Sequence, residues 1–363
     1  MRYIMTCGGT GGHIYPAIAI ADRIRQSEPD AEILFIGTKK GMENRIVPAA
    51  GYEIKGIDAS GIDRKHLLSN FKTMQDLLRG GQQADSIIRE FAPDMVIGTG
   101  GYVTGAVVMH AHGLKIKTYV HEQNAIPGVA NRLLEGMVNR VFISFEASRS
   151  HFRHPEKCIL TGNPIRSDFR TLDRAACRSE FGLADETAIL IFGGSLGAKV
   201  LNDATLHLVD EAAGKKLKLF FVTGRRYYDE IKAYYDELGG VPENLVLMDY
   251  ADNMPHLMTA ADIVVSRAGA IAVSEITACG KPSVLVPSPN VTNNHQYHNA
   301  KAIADSGAAV MIEEKYINND VGVLAEEVLR LCGDPALLAS MHEACGRIAK
   351  INAADVIYEQ IKA

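Results

Sequence analysis

Residues 3–16 read "YIMTCGGTGGHIYP". An apolar run breaks into four glycines within five positions (Gly8, Gly9, Gly11 and Gly12), His13 follows at once, and a proline stands at 16. Glycines between a strand and a helix let backbone N–H groups approach an anion closely, and the helix start adds partial positive charge. The spacing is neither the G-x-G-x-x-G of dinucleotide folds nor a loop ending in Gly-Lys-Ser/Thr. The loop therefore reads as an anion or close-ligand site, with a ligand-free strand-to-helix turn as the alternative.

Outward from this loop, short apolar runs alternate with helical patterns. "RYIMTC" (2–7), "AEILFIG" (31–37), "PDMVIGTG" (93–100), "KIKTYVHE" (115–122) and "RVFISF" (140–145) are strand-like. In 14–26, Ile14, Ile18, Ala21 and Ile24 mark one helical face, with Pro16 expected in the first turn. Such alternation predicts βαβ units on a parallel sheet. The plan restarts after about residue 165: "AILIFGGSLGAKVLNDA" (188–204) is again strand, glycine turn and helix. "LKLFFVTG", "NLVLMDY", "ADIVVS" and "PSVLVP" follow as further strands.

At 363 residues the chain exceeds one ordinary core, so two domains are expected. The boundary falls in "LTGNPIRSDF" (160–169), where Gly-Asn-Pro suits a linker. This divides the chain into 1–164, 165–340 and a final stretch, 341–363, that has no strand after it and is free to pack back on the first domain.

The composition, 47% hydrophobic and 22% charged, is that of a soluble globular protein. A net charge of −5 gives no support for nucleic-acid binding. Six cysteines lie far apart with no C-x-x-C pair, which suits reduced thiols rather than disulfides or zinc. No signal-peptide pattern opens the chain, and no run nears the roughly 18 to 20 apolar residues that span a bilayer. A cytoplasmic protein is expected.

Several constellations carry chemistry. In the second glycine loop, Gly193-Gly194-Ser195-Leu196-Gly197, Ser195 offers a hydroxyl and an N–H to a diphosphate oxygen, or simply caps a helix. Within "SRAGAIAVSEITACGKPSVLVP" (266–287), small residues from Ala268 to Ala272 admit a ligand, and Glu275 suits a ribose or a first-turn dipole. "HEQNAIPG" (121–128) and "NNHQYHNA" (293–300) each follow an apolar strand, where ligands of parallel sheets bind. Their amides both donate and accept, as sugar hydroxyls require. No two aspartates stand two apart, so there is no D-x-D pair to hold a metal on a diphosphate. Helix dipoles and Arg166 would balance the leaving charge.

"GGTGGHIYPA", "HEQNAIPG", "TGNPIR", "GGSLGA", "RAGAIAVSE" and "NNHQYHNA", in that order and spacing, resemble the MurG family of bacterial glycosyltransferases from residue 1 to the last helix. The resemblance implies the GT-B fold, an α/β architecture of two Rossmann-like domains facing across a cleft. It implies transfer of GlcNAc from UDP-GlcNAc to the C4 hydroxyl of MurNAc in undecaprenyl-pyrophosphoryl-MurNAc-pentapeptide (lipid I), with inversion, giving lipid II. The second domain would hold the donor and the first would meet lipid I. Carried onto this chain, Ser195 and Arg166 would bind the diphosphate and Glu275 the ribose. The backbone around Ala251 would contact uracil, and Ala270, Ile271, Ala272, Val273 and Ser274 would line the donor pocket. Gln296 and Asn124 would hold GlcNAc hydroxyls, while Thr10, Gly11 and Gly12 close the site. The family often pairs glutamines where this chain has His295-Gln296, and carries a larger apolar residue at Ala251.

Inversion in one displacement needs a base and stabilisation of departing UDP. His13 is the expected base, since the helix start favours a neutral imidazole there. Glu122 is the second candidate, as base or orienter. No cofactor is called for. Lipid I implies a peripheral place at the cytoplasmic face of the membrane, beside other cell-wall synthesis proteins. In 62–81, Leu67, Leu68, Phe71, Leu77 and Leu78 with Arg64, Lys65, Lys72 and Arg79 suit an anionic lipid surface, or equally a helix packed on its own core. Two rivals stay open: a UDP-GlcNAc 2-epimerase, and a non-catalytic recruiter that binds a lipid-linked sugar.

Overall fold

The computed structural model describes residues 1–59, 70–194 and 196–363. They form two compact units, Met1–Arg166 with Lys350–Ala363, and Ser167–Ala349.

The first unit runs β1 (Arg2–Cys7), α1 (Gly11–Ser27), β2 (Glu32–Thr38), α2 (Glu43–Ala49), β3 (Glu53–Ile57), α3 (Asn70–Phe91), β4 (Met95–Gly100), α4 (Tyr102–Gly113), β5 (Lys117–Glu122), α5 (Val129–Leu134), β6 (Arg140–Ile143) and β7 (Cys158–Leu160). Its seven strands are parallel, in the order β3-β2-β1-β4-β5-β6-β7. Strands covered on both faces need continuous apolar runs, and all six residues of β4 are buried. Alternate side chains serve opposite faces. Ile4 joins Val96, Val103 and Val107 on one side; Tyr3 and Met5 join Phe35, Ile14 and Ile20 on the other.

The second unit holds α6 (Arg174–Glu180), β8 (Thr187–Phe192), α7 (Lys199–Glu211), β9 (Leu217–Val222), α8 (Tyr228–Glu237), β10 (Leu245–Met248), α9 (Met254–Ala260), β11 (Ile263–Ser266), α10 (Ala270–Ala278), β12 (Ser283–Leu285), α11 (His295–Asp305), β13 (Ala309–Met311), α12 (Glu314–Asn319), α13 (Gly322–Cys332) and α14 (Pro335–Ile348). Its parallel sheet has the order β10-β9-β8-β11-β12-β13. Counted from its own first strand, this repeats the order of the first six strands of the other unit. Both are doubly wound. The strand order reverses beside β1 and β8, so each glycine loop opens at the switch point where such folds bind ligands.

Three strands were not foreseen: β3, β7 and β13. Each is short, and β3 reads "EIKGI" with Glu53 and Lys55 in place of an apolar run. Pro16 lies in the second turn of α1 rather than the first, because the helix begins at Gly11. Its absent N–H would have met the carbonyl of Gly12. The final helical pattern is two helices. Ala349 turns extended (φ −59°, ψ 134°), ending α14, and α15 (Ala353–Lys362) then packs in the first unit, with Ile357 and Ile361 fully buried against α1.

Candidate active site

In the first unit the β1–α1 loop is fitted to its neighbours. Thr10 stands before α1 with extended backbone, and its side chain accepts no capping hydrogen bond. The first N–H groups of the helix are thus left to Gly11 and Gly12. His13 is half-buried, and its Nδ1 donates to Gly8 O at 3.0 Å. A carbonyl only accepts, so the proton sits on Nδ1, and a neutral ring keeps the Nε2 lone pair open. The imidazole lies over Gly100, where a Cβ would come within 2.7 Å of the ring. Gly101 has φ +90°, and a Cβ there would overlap Gly8 O. Register skips from Thr6↔Gly98 to Cys7↔Gly100, bulging Thr99 out of the ladder. Its Oγ1 donates to His13 O at 2.7 Å.

The HEQN segment supports this loop from below. His121 is fully buried, its Nε2 donating to Gly162 O at 3.0 Å. Its pKa is pushed down to about 4, chiefly by burial. Gln123 Nε2 donates both to His121 Nδ1 at 3.0 Å and to Thr99 O at 2.6 Å. Glu122 is 2% exposed. Its Oε1 accepts from Asn124 N and Nδ2, and its Oε2 from Gly128 N and Asn131 Nδ2. Four donors surround the carboxylate and tie it to the 122–131 loop.

In the second unit Gly194 and Gly197 have φ +91° and +73°, and a Cβ on Gly197 would strike Thr223 O. Gly197 N closes the turn onto Gly194 O at 3.0 Å. Ser195 itself lies outside the described residues. After β11, Asn299 Nδ2 donates to Ala268 O at 3.2 Å, and Arg267 pairs with Glu314 at 2.6 Å. The helix start at Ala270 is thereby fixed from α11 and α12. Ser274 Oγ bonds back to Ala270 O at 2.9 Å, and Glu275 is half-buried a turn along. Asn293 and Asn294 both adopt left-handed backbone (φ 54° and 49°), which turns the chain into α11. Gln296 Oε1 then accepts from Ser288 N at 2.9 Å, leaving the Nε2 hydrogens to donate.

Residues 3–143 match the glycosyltransferase family 28 N-terminal domain, and 188–360 the family's C-terminal domain. The chain is 44% identical over 364 residues to the UDP-N-acetylglucosamine--N-acetylmuramyl-(pentapeptide) pyrophosphoryl-undecaprenol N-acetylglucosamine transferase of Acetivibrio thermocellus, covering 100% of this chain and 98% of the relative. This chain belongs to the MurG group of glycosyltransferase family 28. A Bacillus thuringiensis relative of the same description, its transferase 2, is 42% identical over 99% of this chain and 98% of the relative. The crystal structure of Acinetobacter baumannii MurG superposes with a TM-score of 0.79 at 27% identity, covering 99% of each chain, so the fold is GT-B. The UDP-GlcNAc 2-epimerase of Neisseria meningitidis, bound to UDP-GlcNAc, shares that fold at 0.68 with 16% identity and 99% of each chain covered.

Within this MurG-type chain, Thr10, Gly11, Gly12, His13, Glu122 and Asn124 lie in the first unit, as does Arg166, exposed at its last residue before the crossing. Ala251, Ala270, Ile271, Ala272, Val273, Ser274, Glu275 and Gln296 lie in the second. Val273 is only 1% exposed. Ala251 and Ala270, at 7% and 8%, can offer little but backbone. Sequence reading passed over Thr99 and Arg267, and took Gln123 and Asn299 only as amides of the 121–128 and 293–300 clusters suited to sugar hydroxyls. Each acts on the backbone of a loop distant in sequence, which no local pattern reveals.

Proposed function

We propose that this enzyme transfers GlcNAc from UDP-GlcNAc to the C4 hydroxyl of MurNAc in lipid I, giving lipid II with inversion at the anomeric carbon. The full-length match to transferases of that description, at 42–44% identity, carries the reading. In the displacement, His13 Nε2 takes the proton of the C4 hydroxyl as its oxygen attacks C1. The C1–phosphate bond breaks, and its electron pair leaves with UDP. The Nδ1–H stays on Gly8 O, which holds the ring in the tautomer a base needs.

Gly11 and Gly12 offer N–H groups to the acceptor diphosphate at the start of α1. Ser195 and Arg166 are assigned to the donor diphosphate, Glu275 to the ribose and the Ala251 backbone to uracil. Gln296 and Asn124 are assigned to the sugar hydroxyls. Ser288 N holds Gln296 Oε1, so Nε2 is the end that would donate to a hydroxyl. Glu122 organises the loop that presents Asn124.

The seat at an anionic membrane belongs to the same reading. Much of 62–81 lies outside the described residues, and among these no helix is long and apolar enough to cross a membrane. Leu133 is 72% exposed, beside Arg132 and Arg153 in a concavity of the first unit, which suits a lipid surface. The decisive experiment incubates pure protein with UDP-GlcNAc and a water-soluble lipid I analogue. Formation of the β-1,4 disaccharide is expected; conversion of UDP-GlcNAc without acceptor would favour an epimerase instead.

A further inference from the structure

Glu43 is fully buried although it opens a surface helix. Its Oε1 accepts from Thr38 N at 2.8 Å and Thr38 Oγ1 at 2.6 Å, at the end of β2. Its Oε2 accepts from Gly9 N at 3.4 Å. Three glycines make room for this one carboxylate. A Cβ on Gly8 would lie 3.0 Å from Oε1, one on Gly37 would lie 2.7 Å from Glu43 Cγ, and one on Gly41 would overlap the carboxylate itself. None of the three is recorded with positive φ, so space rather than backbone conformation explains the missing side chains. Burial, and then the Glu43 charge, push the neighbouring Cys7 thiol far up.

The N–H of Gly9 and the C=O of Gly8 belong to one peptide group. Its N–H end faces Glu43 and its C=O end accepts from His13 Nδ1 at 3.0 Å. We propose that Glu43 is a positioning residue which acts on His13 through the Gly8–Gly9 peptide, a carboxylate–amide–imidazole relay. A hydrogen bond at one end of an amide polarises the other, so the carboxylate strengthens Gly8 O as an acceptor. That secures the Nδ1–H tautomer and stabilises the imidazolium formed when Nε2 receives a proton. The relay rests on the reading of His13 as the base, but its geometry can be tested without turnover.

Glu43→Gln keeps the volume and an acceptor for Thr38, yet its amide can place an NH2 rather than an oxygen against Gly9 N–H. Gly41→Ala leaves Glu43 in the sequence but evicts its carboxylate. Nitrogen-15 shifts of His13 should show the Nδ1–H form alone in the parent and a mixture with Nε2–H in both variants. In steady state, kcat should fall about 10- to 100-fold, as a misplaced catalytic group does, with the KM for UDP-GlcNAc unchanged. Glu43→Asp, too short to reach Gly9, should not rescue. An unchanged His13 tautomer in Glu43→Gln and Gly41→Ala overturns the relay whatever turnover does. Near-normal turnover by His13→Ala overturns the base reading instead.

Discussion

Gln123 joins His121 to Thr99: its Nε2 stands 3.0 Å from His121 Nδ1 and 2.6 Å from Thr99 O. Thr99 in turn holds His13 O, so a buried amide from β5's exit bears on the first turn of α1. Gln123→Met keeps the volume but orphans two buried acceptors. A loss of about 1–3 kcal/mol in urea unfolding is expected, together with a lower kcat. Unchanged stability would mean that water or a rearranged neighbour satisfies both groups.

His121 gives the fold a dependence on acid. Burial lowers its folded pKa to about 4 from a reference of 6.5, so below pH 6.5 the unfolded chain takes up the proton first. This contribution is complete above that pH, shrinks as pH falls, and is gone once the pH has passed through the folded value. At pH 5 the loss is about 2 kcal/mol. Urea midpoints measured at pH 7.5 and 5.0 should differ less in His121→Gln than in the parent.

Glu28 anchors the last helix. It accepts from Tyr3 OH at 2.8 Å, Tyr358 OH at 3.1 Å and Lys362 Nζ at 2.8 Å. Burial would raise its pKa, but the bonds from Lys362, Tyr3 and Tyr358 outweigh that and hold it below the usual value. Its contribution is therefore present near neutrality and lost only as strong acid protonates it. The larger share comes from apolar burial: Ile361→Ala should cost about 2–5 kcal/mol, and Glu28→Gln about 1 kcal/mol, both read from thermal unfolding.

Arg267 and Glu314, only 13% and 12% exposed, form a pair that fixes the chain before α10. Removing one partner of such a pair costs more than its net contribution, because the other charge stays buried. Arg267→Met should raise the KM for UDP-GlcNAc at least severalfold, and the double variant with Glu314→Gln should recover part of the stability. Additive losses in the double variant would show that the two residues are not coupled.

Strands with apolar runs, such as "AILIF" in β8, were legible because burial on both faces demands them. The glycine loops were legible because only bare backbone can turn so sharply beside a ligand. β3 and β13 were not, since short edge-side strands need no such run. Glu122 read as a catalytic candidate by residue type. Its four N–H donors, which hold it to the 122–131 loop, became visible only in the folded chain.

The order of elements, the two nucleotide-fold halves and the presence of His13 after a glycine loop were determined by the sequence itself, through local periodicity and backbone freedom. The tertiary structure alone decided which proton His13 keeps. That depends on a carbonyl five residues back and on a carboxylate that β2 and α2 deliver from thirty residues further along. Such a choice belongs to packing, because a hydrogen bond is made by positions in space and leaves no periodic trace in the chain.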